Sequence, residues 1–318
     1  MQLSEIKFQG IIPATVTPMN KSFQIAEEDL RRYIEWITGF RIGGLAINVD
    51  TGEGPALSAE ERKMTIRVVS SVVKRRVPII AGVSPSNTKD AASSAAEARE
   101  AGADALLVFP HPAFLGVPLT SELPYQYHKA IADAAHLPII IFQLQPALGG
   151  YELTEQIISR LVEIPEVVAM KEALFDAVKF TQAMRILRNA PRRITMLTGN
   201  DNFIAESLIL GAEGALIGFG TLATDQQIQL FELVRMGKYP EAMEIWNNIR
   251  PLMDVIFAPP VRDYRARTKV ALALQAVIEN VQVRPPLQPI SKAEVDKIRK
   301  ALHVTGISIE RQPSELIL

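Results

Sequence analysis

The 318-residue chain has no cysteine, which excludes disulfides, thiolate metal sites, iron–sulfur clusters and cysteine nucleophiles together. Neither sign of charge is in excess. Lys and Arg number 34 and Asp and Glu 35, for a net charge of −1, so no positive field is present to hold a nucleic-acid backbone and no nucleic-acid partner is expected. Long apolar runs are missing too. Residues 137–144 are interrupted by polar or proline residues and fall far short of the ~20 a membrane helix needs, and the start of the chain lacks a signal-peptide core. Histidines number only four, His111, His128, His136 and His303, and no cluster has metal-ligand spacing. These absences imply a soluble cytoplasmic protein with no membrane partner and no metal or cofactor.

What is present is an alternation of short apolar runs with longer amphipathic segments, the βα pattern. Eight runs qualify as strands: 10–16, 44–48, 78–83, 105–109, 138–144, 167–171, 194–198 and 214–217. Most lack polar alternation, as parallel strands buried on both faces do. Between them, Leu30, Tyr33, Ile34 and Ile37 line one helix face, and Ser58 with Glu61 reads as a capping box. Thr154 opens a later helix similarly. Gly102 and Gly211 follow helical segments where a left-handed cap turns the chain into the next strand.

Eight strands with intervening helices over about 225 residues match a (β/α)8 TIM barrel in size. The alternative, a doubly wound sheet, has no Gly-x-Gly-x-x-Gly after the first strand to favour it. Beyond Gly237 the strand signals stop and helical stretches follow at 239–257, 263–279 and 292–302. The expected division is a barrel over 1–237 and a C-terminal helical domain with its tail over 238–318. Apolar residues of the tail, 303–318, are expected to dock on a neighbour.

In such a barrel the chemistry sits at the C-terminal ends of the strands. Those positions offer Thr17 and Pro18, the loop from Asp50 through Thr51, Gly52 and Glu53 to Gly54, then His111, Gln143, Gln145, Lys171, and Gly199-Asn200-Asp201. Lys171 closes an apolar strand, where desolvation lowers an ammonium pKa toward the nucleophilic amine. It is a candidate Schiff-base former; the structural alternative is an ion pair with Glu172 or Asp201. In the loop, successive amides with the Thr51 hydroxyl are candidates for a carboxylate nest.

Read together, Thr17-Pro18, Thr51-Gly52-Glu53 with the run from Leu57 to Arg62, Gly102-Ala103-Asp104, Met170-Lys171-Glu172-Ala173 and Gly199-Asn200-Asp201 resemble the dihydrodipicolinate synthase and N-acetylneuraminate lyase family. The likeness runs from Gly10 to about Leu302. It implies class I pyruvate-type lyase or aldolase chemistry with Lys171 as Schiff-base lysine, on a barrel with a helical C-terminal domain that assembles as a homo-oligomer, a tetramer or dimer. The substrate-binding positions it implies are Thr51, Gly52, Phe142, His111, Leu216 and Gly218.

Departures from the family pattern are as informative. Asp50 stands where a hydroxyl is usual, Phe142 where the catalytic tyrosine is usual, and Pro110-His111-Pro112 replaces a Pro-Tyr-Tyr segment. No Arg or Lys lies between Lys129 and Arg160, where the synthases carry an arginine for the second substrate. An authentic 4-hydroxy-tetrahydrodipicolinate synthase is therefore an alternative and not the main reading. Asp50 is the first candidate for general acid or base, expected to face Lys171, since its charge would otherwise repel a substrate carboxylate at Thr51; a resting salt bridge to Lys171 is its structural alternative. His111 is the second candidate. Glu53 is expected to be structural, holding the amides of its turn. The function expected is a Schiff-base lyase, aldolase or dehydratase, acting on a 2-oxo acid. The rival is a retired family member that binds 2-oxo acids as a sensor or serves as an oligomeric scaffold.

Overall fold

Each apolar run becomes a strand because its side chains find cover on both faces, and the cover differs between the two. In the computed structural model, which describes residues 6–84, 87–115 and 119–312, the strands are β1 (Gly10–Pro13), β2 (Leu45–Ile47), β3 (Ile79–Val83), β4 (Ala105–Val108), β5 (Ile139–Leu144), β6 (Val167–Ala173), β7 (Thr195–Thr198) and β8 (Gly214–Ile217). All pair in parallel in the order β1-β8-β7-β6-β5-β4-β3-β2. The Gly43 amide donates to the Ile11 carbonyl at 2.7 Å and Thr15 to Ala46 at 2.9 Å, closing the ring. The fold is the (β/α)8 TIM barrel.

Alternation along each strand sorts the side chains into two layers. Ile12, Leu107, Ile140, Ala169, Leu197 and Leu216 fill the interior, whereas Ile11, Leu106, Ile141, Met170 and Ile217 pack outward on the helices. By this parity Lys171, two residues after Ala169 and two before the interior Ala173, points inward.

The barrel helices are α1 (Glu27–Ile37), α2 (Ala59–Val73), α3 (Thr88–Ala101), α4 (Glu122–Ala135), α5 (Glu155–Leu161), α6 (Ala177–Arg188), α7 (Ile204–Ile209) and α8 (Thr224–Arg235). Their ends follow the sequence signals. The Ser58–Glu61 capping box is formed, the Thr154 side chain accepts from the Ile157 amide, and Gly102 closes α3 at φ 111°. Three more helices come last: α9 (Tyr239–Ile256), α10 (Tyr264–Leu274) and α11 (Lys292–Val304). Among the described residues no helix is long and apolar enough to cross a membrane.

Three expectations are corrected. Strand six does not end at Lys171, because Glu172 and Ala173 continue the ladder opposite Gln143 and Leu144. The helix expected over 263–279 stops at Leu274, where the chain turns through Ala276 at φ 57°. In the described part of the tail, Ile307 and Ile309 pack on the chain's own core instead of on a neighbour, and the amides of Glu310 and Arg311 donate to the Leu274 carbonyl, while Val304 is exposed. Its last six residues, 313–318, lie outside the described ones.

Candidate active site

Lys171 lies within β6, in register with Phe142 of β5 on one side and Leu197 of β7 on the other. Only 9% of its surface is exposed, and its ammonium sits 4.3 Å from the centroid of the Phe142 ring, a face that attracts a cation but accepts no proton. Space for the stem comes from Gly199: a Cβ there would stand 2.5 Å from Lys171 Cε and 2.9 Å from Ala173 Cβ. Burial lowers the Lys171 pKa to about 8, against the opposing pull of the Asp201 and Asp50 charges. Roughly a tenth of the amine is then neutral at pH 7, far more than for an exposed lysine.

Neither ion pair expected of a structural lysine is formed. Glu172 points to the outer side of its strand, where its Oε2 accepts from Asn200 Nδ2 at 2.6 Å and its Oε1 from the Leu174 amide at 2.9 Å. Asp201 accepts from the Phe219 amide at 2.8 Å, and burial raises its pKa to about 6.

Asp50, expected to turn toward Lys171, is bonded elsewhere. Its Oδ2 accepts from the Tyr264 hydroxyl at 2.7 Å, its Oδ1 pairs with the Arg265 guanidinium, and its carbonyl accepts from Arg265 Nε at 2.9 Å. A cation from α10 thus compensates the charge that sequence reasoning set against a substrate carboxylate. The carboxylate still reaches solvent, with 37% of its side chain exposed.

The candidate amide nest is narrowed: the amides of Gly52 and Gly54 donate to the Val49 carbonyl and that of Glu53 to the Asp50 carbonyl, so the turn uses those three. What the loop still offers a carboxylate is Thr51, by its amide and by its hydroxyl, which is 3.2 Å from the Tyr264 oxygen. Gly52 serves close packing, since a Cβ there would lie 2.8 Å from the Thr15 carbonyl. Gly218 does border the site; its Cβ would fall 3.2 Å from both Thr51 Oγ1 and Tyr264 Cε2.

The other named positions have different surroundings. Leu216 belongs to the packed barrel interior with no exposed surface. The His111 Nδ1 accepts from the Ala113 amide at 3.0 Å, and its ring lies against Phe114 and Tyr127, so it caps a short turn. Glu53 is structural, but holds no amide of its own turn: it meets Lys269 Nζ at 2.5 Å and the Arg284 amide at 2.6 Å. Among the described residues no cluster of three His, Asp or Glu side chains is arranged to hold a metal ion.

Sequence reasoning missed Tyr264 and Arg265. They sit more than 200 residues from Asp50 on a helix assigned to an appendage, and no local spacing signals that their side chains reach the barrel mouth. Tyr264 is held there by stacking on Phe257, ring centroids 5.0 Å apart and 17° between planes.

Comparison with known proteins gives the family. The model of the dihydrodipicolinate synthetase family matches residues 7–305. A 4-hydroxy-tetrahydrodipicolinate synthase of Neisseria meningitidis is 31% identical over 299 residues, 94% of this chain and 99% of that protein. One from Maridesulfovibrio salexigens is 30% identical over 300 residues, with the same coverage. Among solved structures, the chloride-inhibited dihydrodipicolinate synthase of Acinetobacter baumannii, complexed with pyruvate, superposes with a TM-score of 0.84 at 28% identity, covering 95% of this chain and all of that one. With the barrel, the inward lysine and a family match over nearly its whole length, the chain belongs to the dihydrodipicolinate synthetase family, whose members are class I aldolase-type lyases.

Proposed function

We propose that this protein is a Schiff-base-forming lyase, an aldolase or dehydratase, that acts on a 2-oxo acid related to pyruvate. The observation that carries the reading is the Lys171 amine, buried, unpaired and on an apolar ring with its pKa near 8. A lysine kept that way has a desolvation cost that no structural partner offsets, which argues against a retired sensor or scaffold. In the reaction the neutral amine attacks the C2 carbonyl to give a carbinolamine, whose hydroxyl takes up a proton and leaves as water, giving an iminium. That cation draws electrons from C3 as a C–C or C–O bond breaks. Thr51 binds the substrate carboxylate, Phe142 packs beside the iminium, and Asp50 moves protons at C3 or O4.

Pyruvate with borohydride is expected to reduce this iminium onto Lys171, located by peptide mass mapping. Because only the neutral amine attacks, the initial rate should rise with pH through about 8 and level off above it. Labelling confined to other lysines would overturn the assignment.

Condensation of pyruvate with aspartate semialdehyde is expected to be negligible. Phe142 carries no proton to relay, and the run between Lys129 and Arg160 has no cation for a second carboxylate. Turnover at about 1 per second or faster, the range of ordinary enzymes, would show that the synthase reaction persists. A homo-oligomer of two or four copies in the cytoplasm is part of the same reading, and sedimentation would test the assembly.

A further inference from the structure

The Asp50 carboxylate and the Lys171 amine have opposite charges and share one barrel mouth, yet they form no ion pair. An aspartate free to rotate would move toward the ammonium, since each gains from the other and neither has another partner on its own loop or strand. Both carboxylate oxygens are instead taken by α10: Tyr264 donates to Oδ2 at 2.7 Å, and the Arg265 guanidinium bonds Oδ1 while its Nε holds the Asp50 carbonyl at 2.9 Å. The two donors are themselves fixed. Tyr264 is 7% exposed, stacked on Phe257 and seated against Gly218, where a side chain would intrude. Arg265 lies over the Tyr264 ring with its side chain 17% exposed.

We infer that Tyr264 and Arg265 are positioning residues for the Schiff-base reaction, a clamp from α10 that holds the Asp50 carboxylate off Lys171 so that nucleophile and base stay separate. The inference rests on the Schiff-base reading and adds the device that makes its two groups compatible. Were Asp50 to close on Lys171, the ammonium would be stabilised against attack and the carboxylate lost as a base. Held apart, Lys171 forms the iminium while Asp50 takes a C3 proton. The C3–H electron pair then becomes the C2–C3 double bond, and the C2–N π pair returns to nitrogen as a neutral enamine. Returning a proton to C3 restores the iminium, and water adds at C2 to release pyruvate and Lys171, so in D2O the methyl group exchanges its hydrogens with no second substrate.

The charged groups around Lys171 are few. Asp201 after β7 and Asp50 after β2 act on it from a distance, Glu172 of its own strand is turned outward onto Asn200, and Arg265 stands behind Asp50. Loosening the clamp therefore has one direct electrostatic consequence: Asp50 comes nearer and the amine keeps its proton to higher pH.

The test uses the full-length protein, pyruvate as probe and two readouts, borohydride trapping at Lys171 against pH and methyl exchange in D2O by proton NMR. Tyr264→Phe keeps the stack on Phe257 and removes only the donor. Its trapping midpoint is expected to move upward by about one pH unit, with trapping above the midpoint close to the parent's, while methyl exchange falls at least about tenfold. In an Asp50→Asn background the same change should leave the midpoint where Asp50→Asn alone puts it, because no carboxylate remains to swing. A midpoint unmoved by Tyr264→Phe, or moved equally in both backgrounds, overturns the clamp. So does a parent enzyme that traps pyruvate without exchanging its methyl protons. A parent that cannot be trapped at all overturns the Schiff-base reading and the clamp with it.

Discussion

Lys171→Ala is expected to abolish borohydride trapping of pyruvate and to lower turnover of the true substrate on the order of 10^4-fold or more, the scale seen when a covalent nucleophile is removed. No neighbour replaces it, because among the described residues the other buried lysine, Lys269 of α10, is committed to Glu53. Stability should respond in the opposite sense. Lys171 has no ion-pair partner and sits on the apolar face of Phe142, so Lys171→Met, which keeps the volume and removes the charge, should fold at least as stably as the parent. A lysine kept for a structural salt bridge behaves differently, and its loss leaves a buried carboxylate that costs about 3–5 kcal/mol. Chemical denaturation of Lys171→Met thus separates the two roles without a known substrate. A loss of several kcal/mol with activity retained would sink the catalytic assignment.

How much of this was legible in the sequence depends on how locally each feature is encoded. The barrel was readable because an all-parallel sheet demands apolar runs on β1 to β8 and caps such as Ser58 and Gly102 between them. Lys171 was readable because it directly follows an apolar run, which puts its amine where water is scarce; that it points into the barrel came only with the two-residue alternation of the folded strand. Where the chain is read beyond such short periods, the reading fails in specific ways. Asp50 could be placed at the mouth but not oriented, since its partners Tyr264 and Arg265 come from another part of the chain. The amide nest was read from the whole loop with the Thr51 hydroxyl, yet its two glycines let the chain fold tightly enough to spend their own amides on Val49, which narrows the nest to Thr51. The residue between the two glycines departs from its reading too. Glu53, read as serving its own turn, reaches out of it altogether.

Glu53→Gln is expected to destabilise the fold by about 3–5 kcal/mol, the usual result of leaving one member of a buried ion pair uncompensated. The Glu53 side chain is 1% exposed and the Lys269 side chain 0%, with the ammonium 2.5 Å from Oε1. Burial pushes the Lys269 pKa down and the Glu53 charge opposes that shift. The other carboxylate oxygen accepts the Arg284 amide at 2.6 Å, and Lys269 also donates to the Gln282 carbonyl at 2.6 Å. One carboxylate thus fastens the loop after β2 both to α10 and to the chain beyond it. Since Lys269 follows Tyr264 and Arg265 by about one turn of the same helix, the pair fixes the element that holds Asp50, and its loss should reach the site. Urea denaturation measures the stability, and borohydride trapping under native conditions measures the site. Replacing both partners, Glu53→Gln with Lys269→Met, should recover much of the stability, because no buried charge is then unpaired. A Glu53→Gln protein within about 1 kcal/mol of the parent would mean that the Lys269 ammonium finds another anion or is neutral, and that the helix is held by its packing alone.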